Sequence, residues 1–166
     1  QAMVRKLEHG TTLHGVQSLL EPLKTTPQSY YGPSSGIAEA MTALPALSGR
    51  FAKVGFVGLG AGSLACFASA GQGWTAFEID QAIVDIAKDT RLFTYLDKCA
   101  PDINIVMGDA RLSLEREAPQ AYDVLMLDAF SGGSVPVHLL TAEALQIYLR
   151  HLQPDEHAAL TAKASK

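Results

Sequence analysis

With 166 residues, 48% of them hydrophobic and 18% charged, the chain has material for one buried core, and a single globular unit is expected. A formal net charge of -4 leaves no basic footprint for nucleic acid, while tolerating a cationic substrate such as a polyamine. Every apolar stretch stops well short of the ~20 residues needed to span a bilayer, so no membrane partner is expected and a cytoplasmic protein is.

In chain order, Gln1-Ala2 before Met3 reads as an artificial leader. Residues 3–31 hold short extended pieces around Val4 to Leu7 and Gly15 to Gln17, broken by Gly, Thr and Pro, and predict a β-hairpin or lid. Tyr30 to Gly36 reads as a flexible joint, and residues 37–47 as a helix with Ala38, Met41 and Leu44 on one face and Pro45 near its end. From there strand and helix patterns alternate: strand 54–58, a helix starting at Ser63, strand 74–78, helix 81–89 or a little longer, strand 103–107, helix 110–117, strand 122–127, helix 138–152 and an expected strand 158–162. Alternation of this kind predicts a parallel sheet wrapped by crossover helices, so residues 37–166 read as one Rossmann-like nucleoside-binding domain of the α/β class. Cys66 and Cys99 fall in different predicted helices with no paired spacing and no secretion signal upstream, so reduced packing thiols are expected rather than a disulfide or metal site.

The chemistry concentrates where strands are expected to end. Val54 to Val57 is an apolar run suited to a buried parallel strand, and Gly58, Gly60 and Gly62 let the chain turn tightly beside a ligand. Glu78, twenty positions after Gly58, would end the next strand and accept hydrogen bonds from both ribose hydroxyls. Ser63 stands where a dinucleotide fingerprint would carry Gly or Ala, which favours a sulfonium nucleoside over a pyrophosphate and leaves NAD binding a remote alternative. Asp109, in Gly108-Asp109-Ala110, is placed either to bind an adenine amino group or to cap the following helix, and one side chain can do both. Asp128 ends the apolar run Tyr122 to Leu127 and is the principal chemical candidate, its plainer role being to hydrogen-bond the loop Ser131 to Ser134. Asp123 reads as solvated at the strand start. His9 and His14 have no third ligand spaced nearby, so no metal is assigned; His138, His151 and His157 are given surface or capping roles, and Trp74 and Phe77 sheet packing.

Taken together, Gly58-Leu59-Gly60-Ala61-Gly62, Phe77-Glu78-Ile79-Asp80, Gly108-Asp109-Ala110 and Tyr122 to Asp128 resemble the spermidine synthase family, the polyamine aminopropyltransferases, in order and spacing. The stretches His9 to Gln17 and Ser131 to Thr141 look more like its divergent relatives. The resemblance covers roughly residues 4–155 and implies a methyltransferase-type Rossmann-like fold, mostly parallel, with a small N-terminal β segment. It implies that Gln17, Gly58, Gly60, Gly62, Glu78, Ile79, Asp109 and Ala110 bind the nucleoside, with Asp128 beside the attacking amine and Tyr31 as helper. The implied reaction moves an aminopropyl group from decarboxylated S-adenosylmethionine to putrescine and leaves methylthioadenosine, without a metal.

Two positions depart from the family pattern. Ala61 replaces the acid that pairs with the aminopropyl ammonium, and Ser131, Gly132 and Gly133 occupy the loop where a second polyamine-binding acid stands. Intact S-adenosylmethionine carries a carboxylate that Ala61 would tolerate, so a methyltransferase is one alternative, and a non-catalytic nucleoside-binding or dimerisation module is another. A complete fold of this type has two further strands after the one near residue 160. The sequence is therefore expected to be lacking the last strands and to present a sheet edge that pairs in a homodimer, or else to be a fragment of a longer protein.

Overall fold

The computed structural model describes residues 3–129, 136–154 and 159–162. Its centre is a five-stranded parallel sheet in the order β5-β4-β3-β6-β7, formed by β3 (Lys53–Val57), β4 (Gly73–Glu78), β5 (Asn104–Met107), β6 (Val124–Leu127) and β7 (Ala159–Ala162). The helices are α1 (Gly36–Ser48), α2 (Gln81–Lys88), α3 (Tyr95–Cys99), α4 (Ala110–Arg116) and α5 (Ala142–Arg150). A separate antiparallel pair, β1 (Val4–His9) and β2 (Thr12–Ser18), forms the expected N-terminal hairpin. The alternating α/β reading therefore holds.

The sheet is apolar on both faces because helices cover both. Val54, Phe56, Trp74, Ala76, Val124 and Met126 pack on one side with Met41 and Leu44 of α1 and Val84 of α2. Val57, Phe77, Leu125 and Leu127 pack on the other with Leu114 of α4 and Tyr148 of α5. Each of these helices opens on the kind of side chain that satisfies its free N–H groups: Ser35, Asp80, Asp109 and Thr141 accept from Ala38, Ala82, Leu112 and Ala144.

Several local expectations are corrected. The turn after β3 leads into a short 3-10 segment, Ser63–Phe67, rather than an α-helix. The last predicted helix divides into a 3-10 turn, Val137–Leu139, followed by α5, because Leu140 and Thr141 leave helical geometry and Thr141 caps the second piece. The helix expected at Cys99, given no bounds from the sequence, is the five-residue α3. Asp123 is not solvated: it is buried and its Oδ2 accepts the Lys53 N–H at 2.7 Å, joining the starts of β6 and β3. Tyr30 to Gly36 is a packed connection, with a 3-10 turn at Ser29–Tyr31 and Tyr31 in the core.

Cys66 and Cys99 are not free thiols. They form a disulfide, with Cα atoms 4.7 Å apart, between the 3-10 segment after β3 and the end of α3. The two cysteines are 33 residues apart, so no spacing motif announces the pair. The same α3 region holds the hairpin: the Tyr95 hydroxyl donates to Val16 O at 2.8 Å, and Arg5 Nη1 donates to Arg91 O at 2.9 Å and also to Leu92 O.

Candidate functional site

Because β3, β4, β5 and β6 are parallel, their carboxyl ends present Gly58, Glu78, Gly108 and Asp128 along one edge of the sheet. The chain runs from β3 outward through β4 and β5, then returns to the other side of β3 as β6, which makes the β3–β6 gap the switch point where folds of this kind collect ligands. Gly58 lies in that gap with φ of 96°, and a Cβ there would stand 2.6 Å from the Asp128 carbonyl oxygen. Its close approach to β6 is possible only without a side chain.

Glu78 is buried, and both of its oxygens are used: Oε2 accepts the Leu59 N–H and Oε1 accepts the Asp80 N–H, each at 2.9 Å. The carboxylate thus ties the glycine turn to the end of β4. Two oxygens offer about four lone-pair sites, so capacity remains for a pair of ribose hydroxyls.

The hairpin lies directly on the turn. His14 O accepts the Ala61 N–H at 3.2 Å, and the same carbonyl occupies the space a Cβ on Gly60 would need. A Cβ on Gly15 would likewise collide with the Ala61 methyl, and Ala61 is only 1% exposed in an apolar cluster with Phe93 and Tyr95. The His14 imidazole is half-buried, and desolvation holds its pKa below the ordinary 6.5 against the opposing pull of Glu78 and, more weakly, Asp80.

Asp109 caps α4, its Oδ1 accepting the Leu112 N–H at 2.9 Å, and its Oδ2 meets Nε2 of His138 at 2.8 Å. Its pKa is lowered: desolvation opposes the shift, and the Leu112 and His138 hydrogen bonds outweigh it. Ile79, which follows Glu78 at the end of β4, is 70% exposed, and Ala110 is buried. Gln17 is buried with its amide spent inside the protein: Nε2 donates to Thr94 Oγ1 and Lys24 O, and Oε1 accepts the Thr94 N–H.

Asp128 extends β3–β6 pairing by donating its N–H to Val57 O at 2.9 Å, and its Oδ1 is shielded from solvent. The tyrosine within its electrostatic reach is Tyr30. Burial first, and the Asp128 charge second, push the Tyr30 phenol well above its ordinary pKa of 10.0, so it stays protonated. Tyr31 instead points into the core at 6% exposure, its ring 4.5 Å from that of Tyr30. Sequence reasoning missed Tyr30, since adjacent tyrosines carry no signal of which faces the acid. The Ser131 to Ser134 loop lies outside the described residues. Among the described residues no group of three His, Cys, Asp or Glu side chains is placed to hold a metal, and no helix is long and apolar enough to cross a membrane.

No family model and no curated protein matches the sequence. Solved structures do match. A probable spermidine synthase from Corynebacterium glutamicum is 18% identical with a TM-score of 0.64, over 92% of this chain and 58% of its own. Human methyltransferase-like protein 13, in complex with SAH, is 25% identical with a TM-score of 0.54, over 70% of this chain and 60% of its own. A SAM-bound amino pentose methyltransferase from Micromonospora echinaspora is 16% identical with a TM-score of 0.52, over 75% and 47%. The fold is the Rossmann-like one of S-adenosylmethionine-dependent methyltransferases and spermidine synthases. The chain spans about half to three-fifths of the length of these structures.

Proposed function

We propose that this protein is a spermidine synthase-like transferase that binds an S-adenosyl sulfonium nucleoside at the carboxyl edge of its sheet and transfers an aminopropyl group to a small amine. The observation that carries the reading is the placement of two acids on either side of one glycine turn: Glu78, bonded to Leu59 on the β4 side, and Asp128, against Gly58 on the β6 side. Glu78 takes the ribose hydroxyls and Asp109 the adenine amino group, with Ile79 and the Ala110 backbone beside the base. Decarboxylated S-adenosylmethionine is the co-substrate on this reading, and intact S-adenosylmethionine on the alternative one.

Group transfer at a sulfonium needs an amine lone pair in line behind the carbon attached to sulfur. The new bond is C–N, the broken bond is C–S, and the C–S pair neutralises the sulfur. An ordinary Asp is a poor base for an alkylammonium, with a pKa of about 3.9. Asp128 therefore orients the neutral amine and stabilises the ammonium that develops as C–N forms, while Tyr30, neutral before and after, relays the proton that this ammonium gives up towards water.

The alanine at position 61 supports a second reading, methyl transfer from intact S-adenosylmethionine, because no side-chain charge stands there to reject a carboxylate. The spent amide of Gln17 and the hairpin seated on the turn support a third, a nucleoside-binding or dimerisation module without turnover. The edge position of β7, whose partner among the described strands is β6, supports pairing of two copies as a homodimer. The test is product analysis with decarboxylated and intact S-adenosylmethionine, each with and without diamine. Amine-dependent methylthioadenosine that disappears in Asp128→Asn supports aminopropyl transfer. Adenosylhomocysteine moves the reaction to methyl transfer, and absence of both products with retained binding leaves the module.

A further inference from the structure

We infer that His138 competes with the nucleobase for Asp109, so that a contact inside the protein sets the affinity of the site for adenine. The inference rests on the nucleoside-binding reading above and adds a residue to it. Asp109 Oδ1 is committed to the Leu112 N–H at the start of α4. Oδ2 is the oxygen left to accept an exocyclic amino group, and His138 Nε2 already stands 2.8 Å from it.

The imidazole does not reach that position by chance. Its own carbonyl accepts Arg111 Nη1 at 2.9 Å, and the same guanidinium reaches Thr141 Oγ1 at 3.4 Å. The next residue, Leu139, is buried, and its carbonyl accepts the Tyr148 hydroxyl at 3.0 Å. The 3-10 turn Val137–Leu139 is thereby fixed on α4 and α5, while the His138 side chain remains 51% exposed and able to swing away. Half exposure also limits what the contact is worth, so a base can displace it.

A 6-amino group donates to Oδ2 and must displace or share the His138 bond, whereas a 6-oxo group is an acceptor and has no such contest to win. The experiment is calorimetric titration of wild type and His138→Ala with S-adenosylhomocysteine and with S-inosylhomocysteine. The expected result is roughly threefold or more tighter binding of the adenine ligand by the variant, with no gain for the hypoxanthine one. Equal or weaker adenine binding by His138→Ala, where wild type binds, overturns the competition and leaves the nucleoside site standing. A gain of equal size for both ligands also overturns it, since simple opening of the edge is then enough. Silence of both proteins towards both ligands removes the nucleoside reading together with this one.

Discussion

Glu78 and Leu59 are joined across the turn that follows β3: the carboxylate on β4 accepts the Leu59 N–H at 2.9 Å. A residue read as a ribose ligand is also the clasp that sets the turn. On the proposed function, stability and nucleoside binding are therefore coupled at position 78. Glu78→Gln places an amide NH2 where two backbone N–H groups, those of Leu59 and Asp80, require acceptors. A loss of about 1–3 kcal/mol in unfolding free energy is expected, with weakened nucleoside binding. Denaturant unfolding and calorimetry on the same variant read the two effects.

Tyr30 and Tyr31 should separate cleanly. Tyr30→Phe is expected to lower turnover with little change in stability, since Tyr30 is the phenol that Asp128 acts upon. Tyr31→Ala is expected to cost about 3–5 kcal/mol, as for other large core deletions, because its ring is part of the main hydrophobic cluster. Steady-state rates and thermal unfolding of the two variants distinguish them.

The sequence carried the fold well and the site only partly, for identifiable reasons. Strands such as Val54 to Val57 and Val124 to Leu127 are apolar on both faces, a pattern that buried parallel strands share and that survives without homologues. The caps at Asp80 and Asp109 were legible because the side chain and the free N–H groups are neighbours in sequence. The burial of Asp123 has no local signal because its partner, Lys53, lies 70 positions away. The same holds for Cys66 and Cys99, and for Gln17, whose amide is consumed by Thr94 at a separation of 77. Contacts that close long loops leave no local signature.

The Cys66–Cys99 bond closes a loop of 33 residues and fastens the segment after the glycine turn to α3, which also anchors the hairpin. A loop of that length corresponds to about 3–4 kcal/mol in the chain-entropy account. Reduction, or the Cys66→Ser/Cys99→Ser pair, is expected to lower the unfolding midpoint, read by thermal melts with and without reductant. Equal melts would show that the bond adds nothing to the packing already present around Tyr95.

His151 gives the fold a pH dependence of known sign. It is fully buried, its Nε2 donating to Leu114 O at 2.7 Å and its Nδ1 accepting the Gln120 N–H at 3.3 Å, so the neutral ring is the form that fits. Desolvation lowers its pKa from 6.5, outweighing the Leu114 carbonyl, which pulls the other way. The unfolded chain then takes up the proton first. The stabilisation is complete above the unfolded value and is lost as pH falls below it towards the lowered folded value. Half-buried His14 adds a contribution of the same sign. Unfolding curves for wild type and His151→Gln at about pH 5 to 8 isolate the His151 share, as a steeper acid loss in wild type.

Nucleoside binding at the Glu78 side of the turn is tested most directly by calorimetric titration with decarboxylated and intact S-adenosylmethionine. The predicted result is saturable binding of one or both by wild type, weakened at least tenfold in Glu78→Gln variants that remain folded. No heat from either ligand, or binding indifferent to position 78, would contradict it.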